Sequence, residues 1–125
     1  MRSISIKVFI AAVCALTMIS ITPALAHTAL LSSTPGNNAI IQVSPKSFVL
    51  KFSEALATID GKKINSITIT GPAKNRVKLR AVQIGKATLS TTPIEPLAIG
   101  RYEMKYRVVA KDGHALNGTL HFTIK

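Results

Sequence analysis

The feature that most restricts the fold is a period-two alternation of apolar residues that recurs along the chain after residue 26. Apolar side chains occupy every second position in residues 47–52, 102–108 and 119–124, and the positions between them are mainly charged or hydroxyl-bearing. This period is typical of strands with one face on a core and the other in water. No stretch after residue 26 has a convincing helical period. The alternation therefore predicts antiparallel sheet.

Weaker runs, and the turn-forming residues between the runs, indicate how many strands to expect. Further alternation occurs at residues 29–33, 64–70, 77–84 and 87–92. About seven short strands in a domain of this length are typical of a β-sandwich or Greek-key barrel of immunoglobulin-like size. We therefore predict one all-β domain. The predicted turns are rich in Gly, Pro, Asn or Asp and lie at residues 35–38, 60–61, 71–72, 85, 93–96, 100, 112–113 and 117–118.

Residues 1–26 are predicted to be a signal peptide rather than part of the fold. A basic start precedes an apolar run over residues 8–21, and Ala24-Leu25-Ala26 fits the cleavage site of signal peptidase. The apolar run is shorter than the roughly 20 residues that span a bilayer as a helix, which disfavours an uncleaved anchor. We therefore expect export, cleavage after Ala26 and a mature domain over residues 27–125.

Cleavage changes both the charge and the sulfur chemistry of the chain. Loss of Arg2 and Lys7 leaves 14 basic residues against five acidic ones, a formal charge of +9. The only cysteine, Cys14, is lost as well. An exported domain without cysteine must fold without a disulfide. Thiol catalysis, iron–sulfur clusters, cysteine–zinc sites and blue-copper sites are also excluded, because each needs a thiolate.

The first residue after the predicted cleavage site is His27, a candidate metal ligand. A terminal histidine offers its α-amine and its imidazole Nδ1, which together can close a six-membered chelate ring on one ion. A free α-amine has a pKa near 8, so a metal can displace its proton at neutral pH. Nitrogen-rich tetragonal sites favour Cu(II), which also heads the divalent affinity order. The sequence thus indicates a Cu(II) ligand at His27.

Four other residues carry side chains that could bind a metal. Asp112 and His114 flank a glycine in a predicted turn, where the carboxylate can bind metal weakly or orient the imidazole; an ordinary Asp-Gly turn is the alternative. Glu54 follows a core-facing strand and is either a carboxylate near the metal or a solvated loop residue. His121 falls on the outward face of the last strand and is interpreted as an exposed histidine without a metal role.

Four ordered motifs resemble those of the CopC family of periplasmic copper-binding proteins. Their family patterns are H-x-x-L-x-x-S-x-P, L-x-F-S-E, P-x-x-P-L-x-x-G-x-Y, and D-x-H followed by x-G-x-x-x-F. Together they extend across the whole predicted mature domain. In this chain they read H-T-A-L-L-S-S-T-P at residues 27–35, L-K-F-S-E at 50–54, P-I-E-P-L-A-I-G-R-Y at 93–102, D-G-H at 112–114 and N-G-T-L-H-F at 117–122.

The resemblance implies a seven-stranded immunoglobulin-like or cupredoxin-like Greek-key β-sandwich or barrel that binds Cu(II). It assigns the metal to His27, Asp112 and His114, and a variable role to Glu54. Some family members carry a methionine-rich loop for Cu(I), whereas residues 61–85 contain neither Met nor His. The one methionine after residue 26, Met104, alternates with two tyrosines and is predicted to lie in the core.

The remaining question is what such a domain does with copper. The leading hypothesis is a non-enzymatic periplasmic protein, with no catalytic residues, that sequesters copper or passes it to an inner-membrane copper transport protein. The basic surface suits an acidic partner or peripheral contact with an anionic membrane surface. Nucleic acid is disfavoured by export and by only 5% aromatic residues.

Two other functions are compatible with the sequence. One is a metal-free immunoglobulin-like interaction module. The other is a copper polysaccharide monooxygenase, which also chelates copper through an N-terminal histidine. Those enzymes are larger and present aromatic platforms, whereas this chain has no Trp and its two tyrosines, Tyr102 and Tyr106, are predicted to face inward.

Overall fold

The alternating runs of the sequence form the strands of two facing sheets. The computed structural model describes residues 28–125. A short 3-10 turn lies at Pro72–Lys74, and no helix in the part of the chain described has the length and apolar character of a membrane span. The strands are β1 (Leu30–Thr34), β2 (Ala39–Ile41), β3 (Phe48–Phe52), β4 (Ser66–Thr70), β5 (Gln83–Ile84), β6 (Thr88–Thr91), β7 (Gly100–Val109) and β8 (Ala115–Ile124).

Each sheet has four strands, and the chain crosses repeatedly from one sheet to the other. The first sheet has the order β1-β3-β6-β5 and the second the order β2-β8-β7-β4. All pairings are antiparallel except that of β2 with β8. The predicted all-β sandwich is therefore confirmed.

The core between the sheets is built from the side chains that the alternation assigned to it. Phe122 stacks on Tyr102, with ring centroids 5.1 Å apart, and also packs against Phe48 at 5.8 Å. Met104 is fully buried, as predicted. The other predicted inward residues of the three strong runs are buried too, namely Leu50, Phe52, Tyr106, Val108, Leu120 and Ile124.

The count of seven strands was wrong, because the described residues contain an eighth, β2. This three-residue strand has Ile40 exposed, so it shows no period-two signal that would distinguish it from a loop. It forms because the amide of Asn38 donates to the carbonyl of His121, which brings the segment alongside β8 in parallel register. A tertiary contact therefore determines this strand.

The predicted strand at residues 77–84 is also shorter than expected. Only Gln83 and Ile84 pair as a strand, while Arg76 and Leu79 form isolated bridges to Thr70 and Pro93. The segment leaves the sheet that contains β4 and approaches the sheet that contains β5. Its residues therefore pair with two partners in turn and do not form one continuous strand.

The predicted turn at Asn117-Gly118 was wrong, since both residues lie inside β8. Gly118 pairs with Tyr106 on β7, and a Cβ placed on Gly118 would overlap the phenol ring of that tyrosine. A glycine inside a strand often marks such a close approach. Here the missing side chain makes room for the Tyr106 ring, which also packs edge-on against Phe52 at 5.7 Å.

This close approach predicts that Gly118→Ala destabilises the domain. The new methyl group must displace the Tyr106 ring from the core, and overpacking of this kind costs about 1–3 kcal/mol. The adjacent outward-facing change Asn117→Ala serves as the control and should stay within about 0.5 kcal/mol of the parent. Urea unfolding measures both, and equal stability of the two variants would contradict the assignment.

Candidate metal centre

The Asp112-Gly113-His114 segment forms the turn between the two longest strands. β7 ends at Val109 and β8 begins at Ala115. The turn is closed by the amide of Ala110, which donates to the carbonyl of His114 at 2.9 Å, and by that of Gly113, which donates to Ala110 at 2.9 Å. Gly113 has φ +91°, a conformation that side-chain-bearing residues rarely adopt. The turn presents two candidate ligands at one end of the sandwich.

One carboxylate fixes both the backbone and the ring of His114. Asp112 Oδ1 accepts from the His114 amide at 3.0 Å, and Oδ2 lies 3.0 Å from Nδ1 of the imidazole. A carboxylate that holds one ring nitrogen sets the orientation and tautomer of the ring, and the other nitrogen then serves as the metal donor. The His114 side chain is 63% exposed. The pair thus presents an oriented imidazole at the surface.

The charges around His114 raise its pKa above the ordinary value for histidine. The main cause is the hydrogen bond with Asp112, followed by the attraction of the Asp112 charge. Desolvation opposes this increase, and the charge of Glu54 adds the smallest effect, which raises the pKa. The Glu54 carboxylate therefore acts electrostatically on the same imidazole, and three of the predicted site residues belong to one region of the molecule.

A hydrogen-bonded segment connects this region to the first described residues. The amide of Ala29 donates to Ser53 Oγ and its carbonyl accepts from the Ser53 amide, both at 2.8 Å. Two residues further on, the Ala55 carbonyl accepts from the amide of Lys111 at 3.1 Å. Residues 53–55 therefore pair with the start of the described chain on one side and with the residue before Asp112 on the other.

The fourth predicted ligand, His27, lies outside the described residues. The chain is described from Thr28, which is buried and 6% exposed. Within residues 28–125, no three His, Cys, Asp or Glu side chains are grouped closely enough to hold a metal ion.

His121 lies away from this centre. It lies on β8, seven residues after His114, which corresponds to about 23 Å of extended chain. Its imidazole Nε2 is 3.3 Å from Glu103 Oε2, its cross-strand neighbour on β7. His121 faces outward as predicted, but its side chain is 33% exposed rather than fully exposed, and its hydrogen-bond partner Glu103 was not predicted.

Two polar residues that position this region were missed by the sequence analysis. Ser53 belongs to the L-K-F-S-E motif, but only its neighbour Glu54 was considered as a candidate. Asn65 is buried, donates to the Ala57 carbonyl at 2.8 Å and accepts from the Val109 amide at 2.9 Å. Asn65 falls in the run predicted as a strand at residues 64–70, but alternation does not report side-chain hydrogen bonds, so only the folded structure identifies its role.

The geometry predicts how the pKa of His114 responds when its partners are changed. In the metal-free protein, Asp112→Asn should lower the His114 pKa, because it removes the charge that favours the imidazolium. Glu54→Gln should lower it less, since Glu54 is the weaker cause. An NMR titration of the His114 ring protons measures both shifts. A larger effect of Glu54→Gln would contradict the hydrogen-bond assignment.

Two buried threonines provide a matched test of how the first described residues are held. Thr28 Oγ1 is buried and meets no hydrogen-bond partner among residues 28–125, whereas buried Thr91 donates to the Arg80 carbonyl at 2.6 Å. Thr28→Val should therefore leave stability equal or raise it by about 1 kcal/mol, and Thr91→Val should lower it by about 1–3 kcal/mol. Urea unfolding compares the two, and a loss at Thr28 as large as that at Thr91 would indicate a bonded hydroxyl.

Comparison with known proteins identifies relatives over most of the chain. The model of the CopC domain matches residues 30–125. Copper resistance protein C of Xanthomonas campestris pv. juglandis is 33% identical over 107 residues, covering 82% of this chain and 83% of the relative. Copper resistance protein C of Pseudomonas syringae pv. tomato is 32% identical over 106 residues, with coverage of 82% and 83%.

Comparison with solved structures also identifies copper resistance proteins as relatives. CopC from Methylosinus trichosporium OB3b superimposes with a TM-score of 0.67 at 26% identity, covering 79% of this chain and 94% of that one. PcoC, a methionine-rich copper resistance protein from Escherichia coli, gives a TM-score of 0.67 at 30% identity, with coverage of 80% and 100%. The chain therefore belongs to the CopC family of copper resistance proteins.

Proposed function

We propose that this protein is exported, is cleaved after Ala26 and binds one Cu(II) ion in the periplasm. His27 supplies its α-amine and its imidazole, and His114 supplies a third nitrogen. Asp112 orients His114 or adds a carboxylate oxygen. Glu54 lies in the same region and contributes negative charge, or an oxygen, beside the ion.

The observation that carries this proposal is the position of the first described residues. Thr28 is buried and Ala29 pairs with Ser53, while Ala55 pairs with Lys111. The described chain at Ala29 is thus linked to the residue before the Asp112–His114 turn through residues 53–55. That link supports a shared metal site at this end of the sandwich.

The donor chemistry favours the cupric ion over the cuprous ion. Three nitrogens with a carboxylate match the tetragonal preference of Cu(II), whereas Cu(I) prefers thiolate and thioether ligands. The relative PcoC is described as methionine-rich. In this chain only Met104 remains after residue 26, and it is fully buried in the core. A thioether-based copper site therefore has little support here.

The charge of the mature domain does not oppose this assignment. The formal charge of +9 is spread over many exposed Lys and Arg side chains. Charges more than about 8 Å away are largely screened at physiological ionic strength. At the site itself the carboxylates of Asp112 and Glu54 both favour positive charge on His114.

In this role the protein acts by binding rather than by catalysis. It sequesters copper or hands it to an inner-membrane copper transport protein. The names of the relatives, copper resistance protein C, support a role in copper handling. The inward positions of Tyr102 and Tyr106 leave no tyrosine platform for a polysaccharide on the described surface.

The proposal predicts that copper affinity depends on the terminal histidine. Intact mass of the exported protein should first show that it begins at His27. Placing one residue ahead of His27, or making His27→Ala, should then weaken Cu(II) binding by more than about 100-fold, because the chelating amine or ring is lost. Competition titration with a chromophoric chelator measures the affinity.

His121, which lies on β8, provides the matched control. His114→Ala should weaken binding, whereas His121→Ala should leave it unchanged, since His121 pairs with Glu103 far from the turn. If the extended protein held copper as tightly as the mature one, the amine chelate would be wrong. If the unaltered mature protein and all of its variants failed to bind copper, the metal-free interaction module would be the better description.

A further inference from the structure

We propose that the groove between the edge strands β4 and β5 binds an extended acidic segment of a partner protein, which lies along β4. This surface includes none of the proposed copper ligands, and the peptide can bind to it without copper.

The groove lies where the sandwich is open at its side. β4 is the last strand of one sheet and β5 is the last strand of the other. The space between them forms a cavity of about 470 Å³. Its size suits several side chains of a peptide rather than a single ion.

The floor of the groove is apolar. Ile67 lines it from the edge of β4 and Ile84 from β5, and it is also lined by Ile64, Leu79 and Val82. Ile67 is buried, while Ile84 is 38% exposed. Such a floor can receive alternate side chains of an extended peptide, which gives specificity in recognition by strand addition.

The edge of β4 offers backbone groups to such a segment. The Ile69 carbonyl accepts from the Val77 amide at 2.8 Å, so the polar backbone groups of Ile69 point away from β7. In an antiparallel pair this direction repeats every second residue, which places the N–H and C=O of Ile67 on the same edge. Residues 76 and 77 cover only the end of β4, and Ile67 lies at the part that faces the groove.

The rim of the groove determines the charge of the partner. Lys62, Lys63 and Arg80 line it and are exposed, and no acidic residue does so. Within residues 28–125 none of these three side chains forms an ion pair. Asp60 lies in the preceding turn and is not part of the lining. Three uncompensated cations around an apolar floor fit carboxylate side chains on a peptide that also carries apolar residues.

A peptide satisfies this surface better than an anionic lipid or a fatty acid. An acyl chain could fill the apolar floor and place its head group at the lysines, but it has no backbone to pair with the Ile67 amide and carbonyl. The edge strand, the apolar floor and the cationic rim are matched together only by an extended acidic segment.

The test uses a defined probe, a fluorescein-labelled peptide of about eight residues in which Glu and Val alternate, a length that matches ordinary strands. Fluorescence anisotropy should show saturable binding to the purified protein at low salt. An otherwise identical peptide with Lys in place of Glu should not bind. Two further peptides carry methyl groups on every second backbone nitrogen, one at the odd positions and one at the even positions. One of them should lose binding and the other should keep it, because only one set of N–H groups faces β4.

Charge reversal locates the binding surface. The triple variant Lys62→Glu, Lys63→Glu, Arg80→Glu should lower peptide affinity by about tenfold or more. The control triple variant carries the same change in net charge at exposed positions outside the groove and should lower affinity by less than about threefold. Its substitutions are Lys46→Glu, Lys51→Glu and Lys125→Glu. Circular dichroism and thermal unfolding check that both variants are folded.

Three results would overturn the proposal. The first is equal loss of affinity in the two triple variants, which would reduce the interaction to net charge. The second is equal binding of both methylated peptides, which would exclude pairing with β4. The third is that dodecanoate or phosphatidylglycerol vesicles bind in a way that depends on Lys62, Lys63 and Arg80, while the peptide does not bind. The methylation comparison uses the unaltered protein, so it decides even if a variant fails to fold.

Discussion

The long antiparallel pairing of β7 with β8 is the interaction on which the rest of the structure depends. It runs without interruption from Gly100 opposite Ile124 to Val109 opposite Ala115. Its inner face supplies about half of the buried core, and its outer face carries the charged residues. The same pairing ends in the Asp112–His114 turn. The strands that stabilise the core therefore also hold the candidate ligands in place.

A second constraint joins this turn to the beginning of the domain. Residues 53–55 pair with Ala29 on one side and with Lys111 on the other, so they hold together two parts of the chain that are distant in sequence. The same turn region is braced by Asn65, which bonds to Ala57 and Val109. The copper site proposed above would gain from these contacts, because a segment that is already ordered loses less conformational entropy when a ligand binds.

The sequence analysis succeeded where a residue's environment repeats along a strand. Phe48, Met104 and Phe122 were predicted correctly because alternation reports burial directly. The sequence analysis failed where one tertiary contact overrides the local pattern. β2 forms through its pairing with β8, and Gly118 was predicted to be in a turn although it lies in a strand and makes room for the Tyr106 ring. The Asp112–His114 turn was predicted from its residues, whereas the bonds of Ser53 and Asn65 join positions too distant in sequence to leave a local pattern.

The burial of Met104 has a chemical consequence for a protein that handles a redox-active ion. After residue 26 the chain contains a single sulfur atom, and that atom lies at the centre of the sandwich with no exposure to solvent. Oxidation of methionine requires access, and its sulfoxide disrupts packed cores. Among residues 28–125 an oxidant therefore meets no accessible thiol or thioether, and the core of the sandwich is shielded from methionine oxidation.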